Sequence, residues 1–244
     1  MSKESDKHER LVAEAINAVP GTIAERPKVG TGYPDVQITK FKNKITDVWV
    51  EVKMNHTDNL SNPRMFYKSG RWQTTYTTPV AKEAVKILNE SASTKAFLKS
   101  IAKFSGIPLS KIVIPTTKSM LREPNAVPLD VMLKYFNQPG VNRYIASKEN
   151  CDLGRVVIGH YTKGKDSPAY YMQAADDFYM ISRQNPLNLD AKIPVISGRG
   201  DFKIRIGTRS DYYEVQAEIK IKKMPDSPYS VLPGSSKKNP FTGR

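Results

Sequence analysis

Over residues 8–19 the apolar side chains Leu11, Val12, Ala15, Ile16 and Val19 recur at helical spacing. At about 100° per residue they form one stripe, so an amphipathic helix is expected, closed by Pro20-Gly21. Residues 22–26 suit a short strand, and residues 27–33 a loop. The period then changes. Across residues 34–41 Val36 and Ile38 alternate with Asp35, Gln37 and Thr39; across residues 46–54 Val48, Val50 and Val52 alternate with Asp47, Trp49, Glu51 and Lys53. Two half-buried strands with a polar connection predict a hairpin.

Residues 57–77 mix Asn, Ser, Arg, Lys and aromatics without a clear period, as a long loop or an inserted ribbon would. Pro79 fits the first turn of a helix running through Ala84, Val85 and Leu88, and residues 94–104 predict a second helix. Residues 111–115, Lys-Ile-Val-Ile-Pro, read as a short buried strand. Beyond residue 117 one helix, 129–136, is followed by strand-like runs at 155–161, 170–173, 178–181, 202–207 and 212–222. From residue 225 the chain is poor in apolar side chains and carries Pro228, Pro233, Gly234 and Pro240, which predicts an extended or mobile tail. The expected division is a core over residues 1–117, a β-rich extension for DNA binding or target recognition over 118–224, and the tail over 225–244.

The hairpin carries the candidate chemistry. If Lys42, Asn43 and Lys44 form a three-residue loop, Phe41 pairs with Ile45, Ile38 with Val48 and Val36 with Val50, and Asp35 stands opposite Glu51. A two-residue turn would instead put the two acids on opposite faces. Opposed Cβ atoms in an antiparallel pair lie roughly 4.5–5.5 Å apart, so the carboxylates repel unless a cation lies between them. Mg2+ is held by one or two carboxylates together with waters and substrate phosphate, and Mn2+ is a substitute. Lys53 projects from the same face as Glu51, where it can orient or help deprotonate an attacking water and offset charge on the phosphate.

Pro34-Asp35 with Glu51-x-Lys53 resembles the PD-(D/E)xK nuclease superfamily, and the order helix, strand, strand, strand, helices, strand over residues 8–115 is similar to that family's core. The resemblance implies an α/β, restriction-endonuclease-like core of a helix, a mixed central sheet and flanking helices, here with a mainly antiparallel β extension. It implies Mg2+-dependent hydrolysis of a DNA phosphodiester by metal-activated water, with Asp35 and Glu51 as metal ligands and Lys53 as the water-orienting group. Family members with a fourth acid draw it from the first helix. By helical angle Glu9 lies at the edge of the apolar stripe whereas Glu14 points to solvent, which makes Glu9 the accessory catalytic acid and third ligand. A restriction or homing enzyme is the expected type and a junction resolvase the nearest rival. An exposed charged hairpin on a non-catalytic nucleic-acid-binding protein is the reading from another class.

Charge sharpens the choice of partner. The chain has 244 residues with 38 Lys and Arg against 24 Asp and Glu, a formal charge of +14, so it attracts polyanions. Asn55, His56, Arg64, Lys68, Arg71 and Trp72 follow the hairpin as basic groups interleaved with aromatics, suited to phosphates and unstacked bases or, equally, to a solvated loop over the core edge. Lys203 and Arg205 lie opposite Phe202, Ile204 and Ile206, a basic sheet face that fits DNA or plain solvent. Pairing of two copies remains open as a way to cut both strands. One cysteine, Cys151, and three histidines exclude an internal disulfide and a Cys/His zinc site. Nucleotide-binding glycine loops and a Gly-x-Ser-x-Gly elbow are absent: Gly30-Thr31-Gly32 lacks the third glycine of a dinucleotide fingerprint. Without an apolar secretory or membrane-spanning run, a soluble cytoplasmic protein is expected.

Overall fold

A computed structural model of the chain describes residues 3–27, 33–56, 62–163, 167–222 and 224–242. Its elements are α1 (Lys3–Asn17), β1 (Ile23–Glu25), β2 (Val36–Phe41), β3 (Lys44–Lys53), β4 (Arg64–Lys68), β5 (Arg71–Gln73), α2 (Pro79–Glu90), α3 (Ala92–Ser105), a 3-10 turn at Met120–Arg122, α4 (Leu129–Phe136), β6 (Tyr144–Asp152), α5 (Gly154–Lys163), β7 (Ala169–Ala174), β8 (Asp177–Met180), β9 (Arg199–Thr208) and β10 (Tyr213–Ile221). The fold is mixed α/β with two five-stranded sheets, ordered β1-β2-β3-β7-β8 and β5-β4-β10-β9-β6. Among the described residues no helix is long and apolar enough to cross a membrane.

The chain forms two compact units, each assembled from separated segments: residues 1–58, 152–199 and 221–244 in the first, residues 59–151 and 200–220 in the second. The boundary expected at residue 117 thus falls inside the second unit. In the first unit β1, β2 and β3 form an antiparallel meander, β7 joins β3 in parallel, and β8 closes the sheet antiparallel to β7. The helix and strand that follow β3 within the first unit are therefore α5 and β7, in place of the ones expected at residues 79–115. The helices α2 and α3 belong to the second unit, and residues 111–115 join no regular strand. They make single bridges, Ile114 to Tyr67 and Val113 to Ala126, with Ile112, Val113 and Ile114 buried.

The first sheet is covered on both faces. Val12 and Ile16 of α1 share one buried cluster with Val36, Ile38, Val48, Val50 and Val52. On the opposite face Trp49 and Glu51 are also buried, although alternation alone suggested a polar side. The tail, expected to be extended or mobile, packs into the α1-side cluster. Tyr229, Val231 and Phe241 are each under 4 % exposed, with the Phe241 ring edge-on to Phe41 and Phe178 at 5.9 and 5.5 Å. Three well-spaced apolar side chains suffice to join that cluster, and the Val231 N–H donates to buried Gln173 Oε1 at 3.1 Å.

The hairpin turn differs from the expected one, and the difference is informative. Lys42 and Asn43 alone form the turn, both with positive φ (46° and 67°), as a two-residue hairpin matching strand twist requires. Phe41 therefore pairs with Lys44 and Lys40 with Ile45, one position away from the expected ladder. An irregularity between Ile38 and Lys40 then inserts the missing residue, and Ile38 pairs with Val48 and Val36 with Val50. The expected register is reached at the acidic end by a bulge instead of a longer turn. Gly21 braces this turn: its carbonyl accepts the Asn43 N–H at 2.9 Å, and a Cβ there would lie 2.6 Å from Asn43 Oδ1. Asn17, at the end of α1, clamps β1 by exchanging two 2.6 Å hydrogen bonds with the Ala24 backbone.

Residues 155–161, expected as a strand, are helical in α5. The run Val156-Val157-Ile158 has strand character locally, but the buried positions Leu153, Val157, His160 and Tyr161 lie at the i, i+4, i+7, i+8 spacing of one helical face. In the second unit β9 alternates as expected, with Phe202, Ile204 and Ile206 buried and Lys203 exposed. Thr78 caps α2 by accepting the Ala81 N–H at 3.2 Å with Pro79 in the first turn, and α4 spans Leu129–Phe136 as periodicity predicts.

Candidate active site

The strand ladder places Asp35, one residue before β2, on the face of the sheet that carries Glu51, because Val36 pairs with Val50 and side chains alternate. The Val52 N–H donates to Asp35 Oδ2 at 2.8 Å, which fixes the carboxylate against β3. Glu51 is 2 % exposed, and the Lys53 ammonium donates to its Oε1 at 2.6 Å. A hydrogen bond from the Tyr161 hydroxyl of α5 reaches the same carboxylate, from a ring that is fully buried. Asp35, Glu51 and Lys53 are thus brought together, and Tyr161 is a member that pattern reading missed because α5 looked like a strand.

The electrostatics of this group follow from two acids sharing one ammonium. Burial, then the charge of Glu51, pushes the Asp35 carboxyl up to about 7, against the opposing pull of Lys53 and the Val52 N–H. Burial acts to lower Lys53, but Glu51, Tyr161 and Asp35 together hold its ammonium well above the ordinary lysine range. Burial and Glu51 likewise raise Tyr161, so its hydroxyl stays a donor. Asp35 is the member of the cluster poised near neutrality, chiefly because it is buried.

Glu9 is buried on α1 and Glu14 is exposed, as the helical angles predict. The Glu9 carboxylate is already engaged: Arg26 pairs with Oε2 and the Ser5 hydroxyl donates to Oε1 at 3.0 Å. Arg26 also bonds Asp6 at 2.7 Å, and its own proton affinity is raised chiefly by the bond to Glu9. Glu9 contributes a weak repulsion at Asp35. A lone arginine after a three-residue strand left no pattern from which this partner could have been read. Among the described residues, no three His, Cys, Asp or Glu side chains converge as a metal-holding group. Asp35 and Glu51 nonetheless supply hard oxygen donors on one face of the sheet, a set that fits a hydrated Mg2+ held by one or two carboxylates.

The residues expected to touch nucleic acid divide into distinct environments. Asn55 is exposed just beyond β3. His56 Nε2 lies 2.6 Å from Asp177 Oδ2, and the same buried carboxylate is paired with Lys237 of the tail. In the second unit Arg64 bonds Glu214 at 2.9 Å, Lys68 bonds Glu123 at 2.8 Å and Arg205 bonds Glu218 at 2.5 Å. Arg71 and Lys203 are exposed. Trp72 corrects the expectation: it is 2 % exposed, edge-on to Tyr67 at 5.4 Å, so its ring is core packing and offers no face to a base. Gly30–Gly32 and Lys223 lie outside the described residues. Compared with protein-family models, with curated proteins and with solved structures, the chain matches none.

Proposed function

We propose that the chain is a Mg2+-dependent endonuclease acting on DNA, with Asp35 and Glu51 holding the ion and Lys53 beside them. The carrying observation is the buried pair of acids on one β-ribbon, Glu51 bonded by the Lys53 ammonium and Asp35 held on the same face with a proton affinity near neutrality. The element order α1-β1-β2-β3 followed by α5-β7, with β7 parallel to β3, supports the same reading through its likeness to the PD-(D/E)xK core. In this reading residues 59–151 form an insertion between β3 and α5.

Bound Mg2+ would supply Lewis-acid stabilisation of the phosphate and lower the pKa of a water. The chain's own groups do the rest. Val52 N–H holds Asp35 in place, Tyr161 and Lys53 orient Glu51, and Lys53 turns from Glu51 toward an incoming phosphate to offset its charge. Glu9 acts as an accessory acid only if Arg26 yields it, since both its oxygens carry donors. The formal charge of +14 draws in the polyanion. Restriction or homing activity is the preferred type, with a structure-selective nuclease second.

A specific observation favours a non-catalytic binding protein as the second reading: Glu51 and Glu9 already have cationic partners within the fold. Purified protein incubated with plasmid, linear and branched DNA decides between the two. Cleavage with Mg2+ or Mn2+, stopped by EDTA and abolished by Asp35→Asn or Lys53→Ala with binding retained, is the expected result. Binding without cleavage of any substrate leaves only the binding-protein reading.

A further inference from the structure

The second unit holds a small cavity of about 180 Å³ at the β9–β10 end of its sheet, lined by Arg143, Arg205, Arg209 and Gln216 among others. Its charge is lopsided. Glu214, with no exposed surface, accepts a hydrogen bond from Arg209 on Oε1 and forms an ion pair with Arg64 through Oε2 at 2.9 Å, while Arg205 forms an ion pair with Glu218. Three guanidiniums, those of Arg143, Arg205 and Arg209, therefore line the cavity against the one carboxylate of Glu214. Arg143 is the unbalanced member: its carbonyl accepts the Ile206 N–H at 3.0 Å, its Nη1 donates to Thr208 Oγ1 at 3.3 Å, and its guanidinium lies 5.5 Å from the Phe136 ring centre. Among the described residues it has no carboxylate partner.

We propose that this cavity is a phosphate-binding site and, resting on the nuclease reading, that its occupant is one backbone phosphate of the DNA. Size selects the ligand. At about 180 Å³ the cavity is large enough for a phosphate group and smaller than the roughly 300–1,000 Å³ of sites for organic ligands. Chemistry agrees: arginine forks match phosphate oxygens bidentately, and Arg143 is held open on Phe136 and Thr208 instead of being spent on an acid. Arg209 and Arg64 neutralise Glu214, so the buried carboxylate does not expel the anion. Gly207, bearing no side chain, leaves that wall of the cavity to the backbone.

The test uses the full chain in EDTA, where nothing is cut, with a labelled DNA duplex followed by anisotropy over a salt series. Arg143→Gln is expected to weaken binding about tenfold and to make the salt slope shallower by about one unit, equally for every duplex sequence. Lys134→Gln, which removes a surface charge of the same unit, should leave the slope as it is. A second arm measures melting temperature with inorganic phosphate: a rise for the wild type that Arg143→Gln lacks assigns the cavity to phosphate independently of DNA. If the wild type binds no duplex yet shows that rise, the nuclease reading falls and the cavity stands as a site for free phosphate. A folded Arg143→Gln protein with unchanged slope and unchanged response to phosphate overturns the proposal.

Discussion

Two buried acidic centres in this chain solve the same electrostatic problem in opposite ways. In the first unit Asp35 and Glu51 share the ammonium of Lys53; in the second, Glu214 alone receives both Arg64 and Arg209. Removing a carboxylate from water is costly wherever it happens, and it persists only with partners that restore the lost solvation. The first centre restores too little and leaves Asp35 protonatable near pH 7. The second restores more than one acid needs and leaves guanidinium donors to spare. An undercompensated acidic centre is selective for a cation and an overcompensated one for an anion, so the contrast assigns ligand charge before any ligand is named.

The contrast breaks first at the ammonium. Lys53→Met removes the ammonium that donates to buried Glu51, so unfolding free energy should fall by about 3–5 kcal/mol and cleavage should vanish. Arg209→Gln leaves Glu214 with Arg64 and should cost about 1–2 kcal/mol. Urea denaturation of both variants checks the pair. Equal losses would mean that the two centres are equally compensated, against the reading above.

Protonation sharpens the same contrast. Unfolded, Asp35 has an ordinary value near 3.8; folded, it titrates at about 7. Between those values the native state keeps a proton that the unfolded chain has released, so the stabilisation is complete below pH 4 and is lost as pH rises through 7. At about 1.4 kcal/mol per pH unit the loss amounts to as much as about 4 kcal/mol. Asp35→Asn keeps the acceptor for the Val52 N–H without the charge. It should therefore be more stable than the wild type at pH 8 and converge with it at pH 4. Millimolar Mg2+ at pH 8 should raise the melting temperature of the wild type and not of this variant. Convergence at pH 8 instead would mean that Asp35 is not undercompensated.

A smaller effect tests the member contributed by α5. Tyr161→Phe removes one charge-assisted hydrogen bond from Glu51 while Lys53 remains, and should cost about 2 kcal/mol of stability together with a partial loss of cleavage. Loss of stability with full cleavage would make Tyr161 a packing residue alone.

The acid pair was legible in sequence because alternation is a strong signal and because apolar and acidic positions demanded one register. That register held although the turn did not: Lys42-Asn43 makes a tight turn, and a bulge near Thr39, which leaves no mark on the hydrophobic pattern, restores it. The division of the chain was not legible, since the first unit resumes with α5 and β7 only after residues 59–151, a return that no periodicity announces. Tyr161 was hidden for a related reason: β-branched residues in α5 favour a strand locally, and only the tertiary burial of Leu153, Val157 and Tyr161 makes the segment a helix. The tail misled because composition counts apolar residues but does not see where Tyr229, Val231 and Phe241 fall.

The smallest expected effect separates two arginines of one strand pair. Arg64 on β4 and Arg71 on β5 look alike in sequence, as basic residues in a polar, aromatic stretch. Arg64 is bonded to buried Glu214, whereas Arg71 is exposed. Arg64→Gln should lower stability by about 1–2 kcal/mol, because the buried Glu214 carboxylate loses an ion-pair partner while keeping Arg209. Arg71→Gln should change stability by less than about 0.5 kcal/mol, as exposed substitutions do. If β5 lies on DNA, it should make the salt slope of binding shallower by about one unit. An unchanged slope for Arg71→Gln removes β5 from the contact surface while leaving the cation and anion centres untouched, since neither depends on it.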